Sequence, residues 1–375
     1  MTNTLATNKV NILGNSYLPE LDGLRFLAFM LVFIHHHPFF STIPYLSFLS
    51  NYGWIGVDLF FALSAFLLTK LLLEEYQLVQ SINIKKFYLR RIFRIWPVYF
   101  LFIAVVIIPY LFFEGFKFTP EISQRLFSLV AFYDNIAAAN SGYNPIIGTA
   151  HLWTIAYEEQ FYICLPVVII LLTKFSPKSQ LFILTATLLF LNLIRIFFIS
   201  ADVSHPLIWV LPITHFDSII LGIILGFGGF NFLIEKLNSS IIGVAGIFCF
   251  IMICQLPQID HNSFLLILSY SLVGISTTLL LISVLNNDYL KKIFSNKILV
   301  YLGKRSYGLY VYHLILIKAG ETVLTKIFNI QNESFLWFAF SLTCTIIISI
   351  LSYSIIEKPF LKIKKKFQII NSRPI

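Results

Sequence analysis

The sequence predicts an all-α polytopic membrane protein with about ten transmembrane helices and both termini in the cytoplasm. Three observations predict it. Of the 375 residues, 58% are hydrophobic and 12% charged, and a mean hydropathy of +0.82 is too high for a soluble globular surface. Apolar stretches of roughly 20 residues, enough to span about 30 Å of hydrocarbon, recur about ten times. Basic residues gather in alternate connections, as the positive-inside rule requires. The connections are short, so one integral membrane domain is expected over residues 21–358. A cytoplasmic segment, 1–20, precedes it and a basic cytoplasmic tail, 359–375, follows. The first twenty residues hold one Lys and no long apolar run, so the first span itself serves as the insertion signal.

The first span, near 21–40, carries Asp22, Arg25 and His36. A separation of eleven residues is almost three turns of 3.6, so His36 returns above Arg25, while His35 and His37 are rotated about 100° away. Asp22, three residues before Arg25, shares that face. Ionisable groups at membrane depth are costly and mark a cavity or bundle interior. At about 1.5 Å per residue His36 lies roughly 16 Å deeper than Arg25, near the bilayer middle when Arg25 is at the cytoplasmic interface. A histidine there can take a proton from a hydroxyl and return it to a leaving thiolate. The plainer alternative is a polar cap before Pro38 with Arg25 snorkelling.

The second span, near 54–73, holds the buried polar residues Asp58 and Ser64, which also suit hydrogen-bond glue between helices. After it come Lys70, Lys85, Lys86, Arg90, Arg91 and Arg94. Arg91 and Arg94 are three apart and Arg90 and Arg94 four apart, so they converge on one multiply charged phosphate ligand or act as a plain positive-inside anchor. The third span, near 96–113, leads into the longest connection, Glu114 to His151, whose apolar middle from Leu126 to Phe132 is a re-entrant or interfacial candidate. At the outer end of the fourth span, 152–172, the three- and four-residue steps from His151 to Thr154, Glu158 and Tyr162 make one polar stripe, with Glu159 pointing elsewhere. A carboxylate there orients a histidine, holds a sugar hydroxyl, or forms a structural ion pair.

Spans near 181–199, 212–234, 240–256 and 263–285 follow. Lys174 and Lys178 flank the fourth; Lys291, Lys292, Lys297, Lys304 and Arg305 follow the eighth. The ninth, 306–328, opens with Ser306, Tyr310 and His313 on one face. The tenth, 335–356, runs into Lys358, Lys362, Lys364, Lys365, Lys366 and Arg373. Residues 41–53, 114–151, 200–211 and 257–262 then fall outside. The net charge of +9 follows from this pattern and calls for no nucleic acid. Cys164, Cys249, Cys254 and Cys344 show no metal or disulfide spacing and read as core filler. No internal repeat is found, which weighs against an inverted-repeat transporter.

In this order, Glu20-Leu-Asp-Gly-Leu-Arg25 with His36, Gly56-Val-Asp-Leu-Phe-Phe61 with Ser64, Tyr88-Leu-Arg-Arg-Ile-Phe-Arg94, His151-Leu-Trp with Glu158-Glu-Gln-Phe-Tyr162, Ser306-Tyr-Gly-Leu-Tyr310 with His313, and Glu357-Lys-Pro359 resemble the membrane acyltransferase-3 family of bacterial O-acyltransferases. Any one motif is weak; the series spans nearly the whole chain. The resemblance implies a multi-pass enzyme of the bacterial cytoplasmic (inner) membrane that moves an acyl group, usually acetyl, from cytoplasmic acetyl-CoA to a hydroxyl. The acceptor is then an extracytoplasmic glycan or lipid-linked saccharide, such as O-antigen of lipopolysaccharide or another surface polysaccharide. By that analogy His36 is the catalytic histidine and Arg25 its companion, Arg91 and Arg94 meet the donor, and Glu158 is the fourth-span acidic residue.

Asp22 completes the expected catalytic group and Arg90 the donor site. His151, Tyr162, Asp58, Ser64, Ser306, Tyr310 and His313 are expected at the substrate, with membrane lipid around the protein and no metal. Ala65 stands where the family usually has Gly, and Thr154 where it often has Ser; neither removes a group the chemistry needs. Some relatives carry a hydrolase-like domain after the helices, for which this chain is expected to have no room. Two rivals remain: a transporter or flippase using the buried Arg, His and Glu, and a small-molecule acyltransferase with the same machinery. An acyl-enzyme on Ser64 or Tyr310 remains an alternative to direct transfer.

Overall fold

A computed structural model describes residues 17–113, 119–261, 263–328 and 334–370. Residues 1–16 of the N-terminal segment, Glu114 at the start of the longest connection and Arg373 of the tail lie outside the described residues. The described chain is helical, with no strand among the described residues. Its main helices are α1 (Pro19–His36), α2 (Ile55–Val79), α3 (Ile84–Phe113), α4 (Trp153–Leu172), α5 (Pro177–Ser200), α6 (Asp217–Gly226), α7 (Ser239–Ile253), α8 (Leu266–Asn286), α9 (Ser306–Lys326) and α10 (Phe335–Ser352).

Each expected span contains helix, yet among the described residues six helical stretches are long and apolar enough to cross a membrane unaided: α2, α4, α5, α8, residues 84–108 of α3, and α10 with its continuation to Lys365. The other four fall short for physical reasons. Within α1 lie Glu20, Asp22 and Arg25, and within α9 lie Lys318, Glu321 and Lys326. The sixth expected span, 212–234, holds only the ten-residue α6 and the start of the short helix Asn231–Lys236, with Gly228 at φ +78° supplying the turn after α6. The 15 residues of α7 reach only about 22 Å.

The periphery is apolar and unpaired. Phe190, Leu193 and Phe197 of α5 and Ile241, Val244 and Phe248 of α7 are exposed, a surface that suits lipid and not water. The cysteines join this periphery: Cys164 is exposed and the other three half-buried, which corrects the expectation that they fill the core. Inside, α6 packs between α2 and α8, α7 lies along α8, and α9 along α10. α1 sits against α2, α9 and the short helix Lys297–Gly303. That contact needs glycine on both sides, because a Cβ on Gly23 would strike the Phe294 carbonyl and one on Gly303 the Asp22 carbonyl.

The two ends of the bundle gather different groups. At one end Arg90 of α3 donates to Glu75 Oε2 of α2 at 3.0 Å and to the Phe367 carbonyl at 3.0 Å, drawing the basic connection and the tail together. At the other, Tyr143 donates to His205 Nε2 at 2.8 Å, and His205 Nδ1 lies 3.2 Å from the Ile259 carbonyl. Three connections assigned to the outside thus meet. Residues 126–132, a re-entrant or interfacial candidate by sequence, form the end of a helix, Pro120–Val130, N-capped by Thr119 and pinned when Tyr99 donates to the Leu129 carbonyl.

Candidate active site

One face of α1 supplies the first groups. Asp22 and Arg25 pair at 2.8 Å, and Tyr17 donates to the other Asp22 oxygen at 2.9 Å. The three histidines at the far end separate as their rotation requires. His35 Nδ1 is 2.7 Å from the Ser50 carbonyl, and His37 is buried, accepting the Phe39 N–H and packing on Phe33 and Trp337. His36 instead meets α9, its Nδ1 lying 3.1 Å from His313 Nε2 and 2.9 Å from the Val32 carbonyl.

Carbonyls accept only, so the tautomers follow. His313 Nδ1 lies 2.5 Å from the Tyr310 carbonyl and therefore carries a hydrogen, leaving Nε2 of the neutral ring an acceptor. His36 Nδ1, beside the Val32 carbonyl, likewise carries its hydrogen and shares it with His313. His36 Nε2 then holds a lone pair, which is the form a general base needs.

Two cavities flank this centre. The inner one, about 100 Å³, is lined by Arg25, Arg91, Arg94, Glu158, Tyr162 and Ser306, with Ser64, Tyr307, Phe60 and Phe61. Glu158 accepts from Tyr162 at 2.8 Å and from Ser64 at 3.4 Å, and the Arg91 guanidinium stands 5.9 Å from the Tyr162 ring centre. The outer cavity, about 450 Å³, is lined by His35, His36, His151, Trp54, Trp153 and Trp209, with loop residues from all four connections assigned to the outside. Val57, Thr154 and Tyr310 line both. The wall between them is closed by the 2.7 Å hydrogen bond of Thr154 Oγ1 with Tyr310 Oη, both hydroxyls also reaching the His151 carbonyl.

The expected residues divide accordingly. Arg25, Arg91, Arg94, Glu158, Tyr162, Ser64, Ser306 and Tyr310 meet at the inner cavity, and His36, His151 and Tyr310 at the outer. The stripe that begins at His151 and continues on α4 runs from one cavity to the other, so His151 lines the outer cavity and Glu158 the inner one. Asp22 reaches the inner region through Arg25. Arg90 is committed to Glu75 and Phe367, away from the inner cavity. Asp58 lines neither cavity: fully buried, it accepts from Ser218 at 2.5 Å and bonds His215 Nε2 at 3.0 Å. His313, also fully buried, touches His36 and lines neither cavity.

Sequence reasoning missed Trp54, Trp209, Tyr143 and His205 at the outer cavity, and the Arg195–Asp217 ion pair buried between α5 and α6. Trp at a span end reads as an interfacial belt, so it gave no signal of its own. Burial holds the His205 imidazole below its ordinary value and the Tyr143 phenol above its own, so this pair is a neutral donor and acceptor. No group of three or more His, Cys, Asp or Glu able to hold a metal occurs among the described residues.

Comparison with known proteins places this arrangement. An acyltransferase domain model matches residues 18–354. The peptidoglycan O-acetyltransferase OatA of Listeria monocytogenes is 28% identical over 376 residues, covering 93% of this chain and 56% of the relative. The O-acetyltransferase OatA of Staphylococcus aureus NCTC 8325 is 30% identical over 364 residues, covering 92% and 57%. The chain therefore spans less than three fifths of the length of these relatives. No solved structure matches it.

Proposed function

The chain belongs to the acyltransferase domain family matched over residues 18–354, and on that premise we propose that it is a multi-pass O-acetyltransferase carrying acetyl from acetyl-CoA to a glycan hydroxyl across the bacterial cytoplasmic membrane. The observation that carries this reading is the pair of cavities back to back, arginine-lined on one side and histidine-lined on the other, sharing Thr154 and Tyr310. Positive-inside logic puts the arginine side, and both termini, in the cytoplasm. The proposed membrane domain takes in residues 21–358.

In the proposed reaction Arg91 and Arg94 engage the donor's phosphates from the cytoplasm, since guanidinium groups bind phosphate with charge-assisted hydrogen bonds. Arg25, held by Asp22, adds positive charge at the cavity where the thioester enters. An acceptor hydroxyl in the outer cavity gives its proton to His36 Nε2 as its oxygen bonds to the thioester carbonyl carbon. The carbon–sulfur bond then breaks, and His36 returns the proton to the departing thiolate, giving ester and free CoA. His313 fixes the His36 tautomer and is a positioning residue. The wall at Thr154 and Tyr310 must open for the two reactants to meet, and it keeps water from the thioester until then.

The test uses the purified chain in proteoliposomes with labelled acetyl-CoA and cell-wall glycan. Label is expected in the glycan, and His36→Ala, with His35 and His37 intact, is expected to lower incorporation by at least about 100-fold. Full activity in that variant would falsify the assignment of His36. Proton-coupled uptake without label transfer would replace the enzyme by a transporter.

A further inference from the structure

The basic tail contains one lysine that does not behave as a positive-inside anchor. In the tail helix, Lys358–Lys365, and just after it, Lys358, Lys362, Lys365 and Lys366 are exposed, whereas Lys364 is only 8% exposed. Leu361, three residues earlier on the same face, is buried with it. The helix packs along α3, and the segment after it is fastened there. Phe367 stacks on Phe93 with ring centres 5.7 Å apart, and its carbonyl takes an Arg90 N–H at 3.0 Å.

Lys364 lines a vestibule of about 50 Å³ that shares Arg25, Arg91 and Arg94 with the inner cavity and adds Tyr17 and Asp22. Neither Thr154 nor Tyr310 lines it, so it lies across the arginines from the wall where the two reactants meet. Among the described residues four cations line this space, with a single carboxylate, Asp22, which already pairs with Arg25. Lys364 also borders the crevice beside Glu75, but that carboxylate receives Arg90 at 3.0 Å and the Asn83 N–H at 2.8 Å. Like charges gathered around one narrow space repel one another, and an anion that enters relieves the repulsion.

We propose that Lys364 is a donor-specificity residue whose ammonium receives the 3′-phosphate of the CoA nucleotide, while Arg91 and Arg94 take the pyrophosphate nearer the thioester. The order of the groups supports it. In CoA the thioester, the pantetheine arm, the pyrophosphate and the 3′-phosphorylated ribose follow in turn. The cavities present the Thr154–Tyr310 wall, then the arginines, then Lys364. An ammonium binds a phosphate as a point charge with charge-assisted hydrogen bonds. On the measure by which one water takes about 10–15 Å³, the vestibule has room for a phosphate group and not for an adenine ring as well, so the base stays outside. Burial also separates Lys364 from the exposed tail lysines, which are the ones free to meet anionic lipid headgroups. This deepens the acyl-transfer reading, on which the identity of the donor rests.

The experiment is calorimetric titration of the full chain in nanodiscs with CoA and with dephospho-CoA, which lacks only the 3′-phosphate. Wild type is expected to bind CoA about 10-fold more tightly, the scale of one charge-assisted hydrogen bond. Lys364→Gln is expected to bind both ligands as wild type binds dephospho-CoA, and Lys364→Arg, which keeps the charge, to retain the preference. Lys364→Met keeps the aliphatic stem and stands in where Lys364→Gln fails to fold. Equal binding of the two ligands by wild type would overturn the assignment. So would a preference that survives loss of the charge, the result expected of a lysine that only docks the tail. Label transfer from acetyl-CoA is measured in parallel. A Lys364-dependent preference without transfer leaves the phosphate site standing and removes the acetyl-transfer reading. Transfer with the same KM for acetyl-CoA and acetyl-dephospho-CoA does the reverse, and binding of neither ligand without transfer removes both.

Discussion

The inner and outer halves of this molecule handle polarity in opposite ways. The inner cavity concentrates full charges, Arg25, Arg91, Arg94 and Glu158, around about 100 Å³. The outer cavity opens about 450 Å³ behind neutral imidazoles, amides and three indoles. Fixed positive charge in a narrow space suits the proposed anionic donor, whose tip alone enters, whereas the wider outer space leaves room for the proposed acceptor. The contrast teaches that one polar stripe on α4 can serve two chemistries, because the Thr154–Tyr310 bond divides it.

The comparison breaks first at the arginines. Arg91→Ala and Arg94→Ala are each expected to raise the acetyl-CoA KM about 10- to 100-fold, the scale of a charge-assisted hydrogen bond, with sugar affinity unchanged. Equal losses on both substrates would mean that the halves are not separate. Next comes the buried network in which Asp58 holds His215 and Ser218 beside Trp209. Asp58→Ala leaves the Ser218 hydroxyl and His215 without their buried partner, costing about 2–4 kcal/mol, while Asp58→Asn keeps an acceptor and costs less. Thermal unfolding in detergent reads the difference, and identical midpoints for Asp58→Ala and wild type would remove the structural role of this network.

The smallest effect is acid sensitivity at the outer rim. Burial lowers the His205 value below the ordinary 6.5, so the unfolded chain takes up the proton before the folded one. Stability is then intact above about pH 6.5 and declines as the pH falls below it. Tyr143, which donates to His205, and Asp260, whose charge favours the protonated ring, are the other groups at this contact. Wild type is expected to lose more stability than His205→Gln between pH 7 and 5; parallel curves would sink the idea.

Much of the arrangement on α1 was legible in the chain. Eleven residues on a helix place His36 above Arg25, three place Asp22 beside it, and the structure finds Asp22 and Arg25 paired and His36 turned toward α9 while its neighbours are occupied elsewhere. Periodicity suffices there because the relation lies within one helix. It is silent on the partners of Asp58, which reads as glue between helices or as a substrate contact, since His215 and Ser218 lie about 160 positions away and no local rule names them. Arg90 fits the triplet of arginines by spacing, yet Glu75 and Phe367 claim it.

By itself the sequence determined that the chain is a helical membrane protein, which segments are apolar, which end each connection favours, and which side chains share a helical face, because these follow from composition and 3.6-residue periodicity. Only the tertiary structure decided that six helical stretches among the described residues are long and apolar enough to cross alone, that α6 and α7 are short, that Glu158 and His151 line different cavities, and that three scattered tryptophans pack together. The reason is physical: a cavity is bounded by residues from many helices, and its shape depends on how those helices pack, which local spacing does not encode.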